Sequence, residues 1–285
     1  MYSPIGVFDS GYGGLTILKD IARELPAYDY IYLGDNARTP YGTRSYDVVY
    51  RYTREAVMKL FEMGCHLVIL ACNTASAKAL RTIQQVDLPR VAPSRRVLGV
   101  IRPSVEAVDR FTRNGHIGIL ATKGTVASES YLLEIAKLHP GKKWQVTQEA
   151  CPMWVSLVEN GEISSPGAHY FVRQHLDQLM LADPLIDTLV LACTHYPLLR
   201  NQIDDCLQEG VRVVEQGELV AQSLREYLDR HPEMKRRLSE GGRVSYFTTE
   251  KEAMFDPMAQ LFMQSAVNSQ HIEIERCEFT PKGIE

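Results

Sequence analysis

The chain carries two related halves, and each ends a strand-like run in a cysteine. Residues 5–14 read Ile-Gly-Val-Phe-Asp-Ser-Gly-Tyr-Gly-Gly, and residues 117–126 read Ile-Gly-Ile-Leu-Ala-Thr-Lys-Gly-Thr-Val. Downstream of the first lies Leu67-Val68-Ile69-Leu70-Ala71-Cys72-Asn73-Thr74, and downstream of the second Leu189-Val190-Leu191-Ala192-Cys193-Thr194-His195. A repeat on this scale restricts the chain to two copies of one layered plan. Copies that face each other would bring two thiols to opposite sides of one cleft. Two opposed proton-carrying groups are what inversion of a stereocentre requires, one to take a proton and one to give it.

Short, continuously apolar runs alternate with amphipathic segments. Ile5–Phe8, Tyr30–Leu33, Leu67–Ala71, Val97–Val100, Ile117–Leu120, Trp144–Val146, Thr188–Ala192 and Val211–Val214 read as strands. They are too apolar to be half-exposed, which implies parallel sheets covered on both faces. Leu15–Leu25, Tyr46–Met63, Val105–Thr112, Ser128–Leu138 and Tyr170–Ala182 carry helical spacing. This alternation implies right-handed βαβ units. The expected class is α/β, with two pseudo-symmetric α/β domains, mostly parallel sheets and the active site in the cleft between them. The Pro- and Arg-rich stretch 87–96 reads as one crossing between halves, and Glu209-Gly210 as a second. These seams place a first domain at 1–97 plus 211–285 and a second at 98–210.

Composition narrows the function. The charges nearly balance, 31 Lys plus Arg against 35 Asp plus Glu, and no basic stripe with interleaved aromatics appears. Nucleic acid is therefore not an expected partner. The basic stretch from Lys235 to Arg243 reads as a solvated helix face. No apolar run approaches the roughly 20 residues that span a bilayer, and Met1–Pro4 leads directly into a strand without a signal peptide. A cytoplasmic location with no membrane partner is expected, and a homodimer is the expected assembly. The six cysteines show neither Cys-x-x-Cys pairs nor zinc-ligand spacing. Free thiols and no metal are expected.

In open α/β sheets, ligands sit beyond the carboxyl ends of the strands. The turn Asp9-Ser10-Gly11-Tyr12-Gly13-Gly14 follows the first strand there. Its glycines permit close backbone approach, and the following helix offers N–H groups to a carboxylate. It matches neither the dinucleotide fingerprint nor the phosphate loop. Asp35-Asn36 to Pro40-Tyr41-Gly42 follows the second strand. Cys72 and Cys193 end equivalent strands, and a helix N-terminus beyond each would lower a thiol from its usual value of about 8.5. His195 could tune or reprotonate Cys193, and Asp9 is the matching candidate for Cys72. Cys65, Cys151, Cys206 and Cys277 have no such context and read as structural.

Five motifs together resemble the glutamate racemase family over about residues 5 to 225. They are Asp9-Ser10-Gly11-x-Gly13-Gly14, Asp35-Asn36 to Pro40-Tyr41-Gly42, Ala71-Cys72-Asn73-Thr74-Ala75, Ala121-Thr122-x-Gly124-Thr125-Val126 and Ala192-Cys193-Thr194-His195-Tyr196-Pro197. The resemblance implies a cofactor-independent enzyme interconverting L- and D-glutamate, which supplies D-glutamate for bacterial peptidoglycan. Cys72 and Cys193 are then the acid–base pair, acting on D- and L-glutamate respectively. Asp9 assists Cys72, and Glu159 works with His195 beside Cys193. Ser10, Pro40, Tyr41, Gly42, Asn73, Thr74, Thr122, Thr125 and Thr194 hold the amino acid, with Asp9 and His195 lining the same site. One departure is Arg102, where many relatives carry Glu before Pro. Rival readings are an aspartate or hydantoin racemase, a hydrolase using Cys193 and His195, a non-catalytic amino-acid-binding protein, and a PLP enzyme using Lys123.

Overall fold

The computed structural model describes residues 3–275. Ten strands occur among them: β1 (Ile5–Asp9), β2 (Tyr30–Gly34), β3 (Leu67–Leu70), β4 (Arg96–Gly99), β5 (His116–Ala121), β6 (Gln145–Ala150), β7 (Thr188–Ala192), β8 (Arg212–Val214), β9 (Val244–Thr248) and β10 (Ser269–His271). They form two parallel sheets, one ordered β10-β9-β2-β1-β3-β4 and the other β6-β5-β7-β8. β1, β2, β3 and β7 are buried along their whole length. That burial is why their sequences carry no polar alternation.

The repeat maps onto equivalent pairings. β1 pairs with β3 in the register Ile5↔Leu67 to Phe8↔Leu70, and β5 pairs with β7 from Ile117↔Thr188 to Ala121↔Ala192. In each sheet the thiol follows the strand beside the leading one. The helices Gly14–Glu24 and Gly217–Arg230 pack closely against each other. The second of these leaves β8, so it ties the two sheets together.

Three sequence expectations need correction. The stretch 87–96 is no crossing: Leu80–Thr82, Ile83–Asp87 and Leu88–Val91 wind as consecutive helical turns, the middle one π, and feed β4. β4 then pairs with β3, so the chain leaves the first sheet only after Gly99. The seam expected at 210/211 also falls one strand early, because Arg212 pairs with Thr188 and keeps β8 in the second sheet. Finally, the basic stretch 235–243 is not a helix face. Only Pro232–Lys235 is helical there, and Arg243 folds back so that its backbone N–H and its Nε bond Asp29 at 3.2 and 3.3 Å.

Among the described residues no helix is long and apolar enough to cross a membrane. The described cysteines are all free, with Cys65, Cys72, Cys151 and Cys193 buried. Cys277 lies outside the described residues.

Candidate active site

The carboxyl ends of β1, β3, β5 and β7 place Asp9, Cys72, Thr122 and Cys193 at the ends of the two sheets. Both thiols are nearly closed off, each with 6% of its surface exposed. Cys72 caps the Asn73–Lys78 helix: its Sγ accepts the Ala75 N–H at 3.4 Å and lies 3.5 Å from Ser10 Oγ. The expected lowering of this thiol does not occur. Burial, reinforced by the Asp9 charge, pushes Cys72 up to about 12, against the hydrogen bonds from Ser10 and Ala75. One N–H from a six-residue helix cannot offset the loss of water around a thiolate.

Asp9 is buried, and its carboxylate accepts the Gly11 N–H at 2.9 Å and the Thr194 hydroxyl at 3.5 Å. Burial raises its pKa, and the His195 charge works the other way. Asp9 therefore influences Cys72 through charge, while its hydrogen bonds go to its own turn and to the second sheet.

His195 lies between two acidic partners. Its Nδ1 is 4.0 Å from Cys193 Sγ and its Nε2 is 2.9 Å from Glu159 Oε1. Burial alone would depress this imidazole, but the hydrogen bonds to Cys193 and Glu159, with their charges, raise it to about 10. It is therefore an imidazolium at neutral pH. The Phe262 ring stands edge-on to it, with centroids 5.4 Å apart and planes at 84°. Glu159 ends the helix Trp154–Glu159. Read from the residues alone it was a helix-surface charge; the motif resemblance singled it out, and the fold brings it onto His195.

The halves meet through small residues and hydroxyls. Gly13 sits so close to the second sheet that a Cβ there would lie 2.2 Å from Thr194 Oγ1 and 2.4 Å from His195 Nδ1. Thr74 Oγ1 lies 3.0 Å from Thr122 Oγ1 and 3.3 Å from Thr125 Oγ1, while the latter two are 3.1 Å apart. The Gly124 N–H donates to Gly42 O at 2.8 Å, joining the Pro40-Tyr41-Gly42 turn to the second half. Ser10 thus meets Cys72, His195 meets Cys193, Asp9 reaches Thr194, and Thr74, Thr122 and Thr125 form one cluster of hydroxyls between the halves.

Three sequence candidates are placed differently. The Tyr41 ring is buried beside Phe8 and Tyr52, with its hydroxyl on the Asp35 carboxylate, so it anchors the turn from within. Pro40 is at the exposed rim. The Asn73 amide is engaged at both ends: its Nδ2 donates to Gln216 Oε1 at 2.6 Å, and its Oδ1 accepts from Tyr131 at 2.8 Å. Gln216, Tyr131 and Ser104 form a buried polar network that sequence reading did not single out. The only available signal was Gln216 itself, a polar residue two positions after the Val213-Val214 pair that ends β8. Arg102 is exposed and pairs with Glu106 one helical turn on, at 2.7 Å. Among the described residues no group of three or more His, Cys, Asp or Glu is arranged to hold a metal ion.

The sequence and the fold are both shared with known proteins. Residues 5–224 match the family described as Asp/Glu/Hydantoin racemase. A glutamate racemase from Geobacter metallireducens is 40% identical over 263 residues, covering 92% of this chain and 93% of that protein. The crystal structure of glutamate racemase isoform RacE1 from Bacillus anthracis superposes with a TM-score of 0.85 at 34% identity, covering 95% of this chain and 98% of that one. Glutamate racemase from Francisella tularensis, solved in complex with D-glutamate, gives 0.83 at 29% identity over 96% and 98% of the two chains. With paired thiols at equivalent strand ends and a family match across most of its length, this chain belongs to the Asp/Glu/Hydantoin racemase family.

Proposed function

We propose that the protein interconverts L- and D-glutamate by a cofactor-independent, two-thiol mechanism. The observation that carries the reading is the unequal dressing of two equivalent thiols. Cys193 faces a protonated His195 backed by Glu159, while burial and the Asp9 charge keep Cys72 protonated. Starting from L-glutamate, Cys193 takes the α-proton as a thiolate held beside the imidazolium, and Cys72 gives its proton to the opposite face. The carbanion-like transition state is stabilised by preorganised donors rather than by an electron sink. Starting from D-glutamate the roles exchange: Cys72 must first lose its proton, and the buried Asp9 carboxylate, made more basic by burial, takes that proton up.

The hydroxyls of Ser10, Thr74, Thr122, Thr125 and Thr194 suit the substrate's carboxylates and ammonium. Gly42 and the rest of its turn would contribute backbone, as would Asn73, whose side chain is already engaged. The relatives named as glutamate racemases, one of them holding D-glutamate, support glutamate as the substrate. From the same reading follow supply of D-glutamate to peptidoglycan, a cytoplasmic location and a homodimer. The strand pairings favour domain seams after Gly99 and after Val214.

The test is racemisation of each glutamate enantiomer by protein stripped of PLP and treated with chelator, followed by polarimetry. Loss of optical rotation is expected, with aspartate and glutamine much slower. Activity that requires added PLP or metal would overturn the proposal.

A further inference from the structure

Gln216 is wholly buried, sits between β8 and the Gly217–Arg230 helix, and uses every polar hydrogen of its amide. Its Oε1 accepts from Asn73 Nδ2 at 2.6 Å. Its Nε2 donates to Ser104 Oγ at 2.7 Å, to Tyr131 Oη at 2.9 Å and to Val100 O at 3.3 Å. Tyr131 then donates to Asn73 Oδ1 at 2.8 Å, which closes a ring of three hydrogen bonds.

The ring has a definite position relative to the chemistry. Asn73 is the residue after Cys72 and opens the helix that this thiol caps. Ser104 and Tyr131 belong to helices packed on the second sheet's side of the molecule. Gln216 also lines, with Cys193 and Thr194, a small cavity of about 30 Å³. One amide thus bonds the neighbour of the first thiol and borders the second.

We infer that Gln216 is a positioning residue that sets the separation of Cys72 and Cys193 across the cleft, through its hydrogen-bonded ring with Asn73 and Tyr131. The inference rests on the two-thiol reading. Its physical basis is that a buried amide with all partners in place has one low-energy orientation, because any displacement strands a polar group away from water. Holding Asn73 fixes the start of the Cys72 helix relative to the second sheet.

Racemisation needs both sulfurs aligned on one Cα at once. Elimination from a glutamate bearing chloride on Cβ needs only one. The thiolate takes the α-proton, the Cα–Cβ double bond forms as chloride leaves with its electron pair, and water hydrolyses the resulting enamine to a keto acid and ammonia. A substrate seated against one lobe can still eliminate when the other thiol is out of line. The two assays therefore separate thiol spacing from general damage.

The experiment compares Gln216→Met, which keeps the shape but loses every hydrogen bond, with Tyr131→Phe, which removes a single hydroxyl and tests the ring should the first variant fail to fold. Misalignment by about 1 Å can cost on the order of 10²-fold, so kcat/KM for racemisation should fall by about 10- to 100-fold while elimination from both hands stays within about threefold of wild type. Ser104→Ala, which breaks a bond within the second half only, should fall less than Gln216→Met. Loss of racemisation and elimination in proportion, or unchanged racemisation, would overturn the inference. Failure of the two-thiol reading is distinguishable, since it would appear in the protein with Gln216 intact as Cys72→Ser and Cys193→Ser variants that do not divide the two hands between them.

Discussion

Gly13→Ala isolates the contact between the first turn and the His195 imidazole. A Cβ at this position would lie 2.2 Å from Thr194 Oγ1, 2.4 Å from His195 Nδ1 and 2.7 Å from His195 Cε1. Ordinary carbon contacts sit at about 3.5–4.0 Å, so the imidazole or the turn must retreat by about 1 Å. Neither can do so easily. His195 is held by Glu159 on one side and Phe262 on another, and Gly13 opens the buried Gly14–Glu24 helix. Overpacking of this kind costs about 1–3 kcal/mol of stability, which leaves a folded protein to assay. A shift of about 1 Å in a proton-transfer group costs on the order of 10²-fold in rate. Polarimetry should show racemisation reduced by about that factor from either enantiomer, because an equilibrium constant of one ties the two kcat/KM values together. One-way elimination from the chloride-bearing analogue is free of that constraint. Its L hand, which depends on Cys193 and His195, should lose clearly more than its D hand. Wild-type racemisation by a folded Gly13→Ala protein would refute the argument, as would equal loss for the two hands.

Other outcomes follow from the same geometry. Cys72 at about 12 is a thiol at neutral pH, and its thiolate fraction rises about tenfold per pH unit below that value; His195, at about 10, stays protonated through this range. The rate of D-hand elimination, corrected for titration of the substrate amine, should therefore climb between pH 7 and 9; a flat or falling rate contradicts the assignment. Asp9→Asn should impair D-hand elimination more than L-hand, and His195→Asn the reverse, and measured kcat/KM values that showed no such crossing would remove the assigned pairings. Trp154 is fully buried against Tyr196, with centroids 4.8 Å apart. Trp154→Ala should lose about 3–5 kcal/mol in urea unfolding; a loss below 1 kcal/mol would mean this contact is not part of the core.

Legibility in the sequence followed the reach of the interactions involved. β1, β2, β3, β5 and β7 could be read because each is a continuous apolar run with nearly every residue buried, whereas β6, polar and half-buried, was caught only at its first two residues; both thiols stood out because the repeat marks them. β9 and β10 were missed because they have no counterpart in the repeat and carry no strong apolar run, β9 being mostly half-buried and β10 mostly exposed. The seam at β8 was misplaced because a three-residue strand says nothing of which sheet it joins. Glu159 and Gln216 meet their partners from far along the chain, and spacing cannot reveal such contacts. The direction of the Cys72 shift was misread for a related reason: the helix N-terminus is local and visible, whereas burial and the Asp9 carboxylate depend on the assembled fold.

The central claim is that two thiols serve opposite faces of one α-carbon. Its most direct test is elimination from the two hands of the chloride-bearing glutamate by Cys72→Ser and Cys193→Ser, with racemisation measured alongside. Both variants should lose racemisation. Cys193→Ser should still eliminate from the D hand and fail with the L hand, and Cys72→Ser should do the opposite. If one variant lost both hands and the other lost neither, a single base would be doing the chemistry and the account would be wrong.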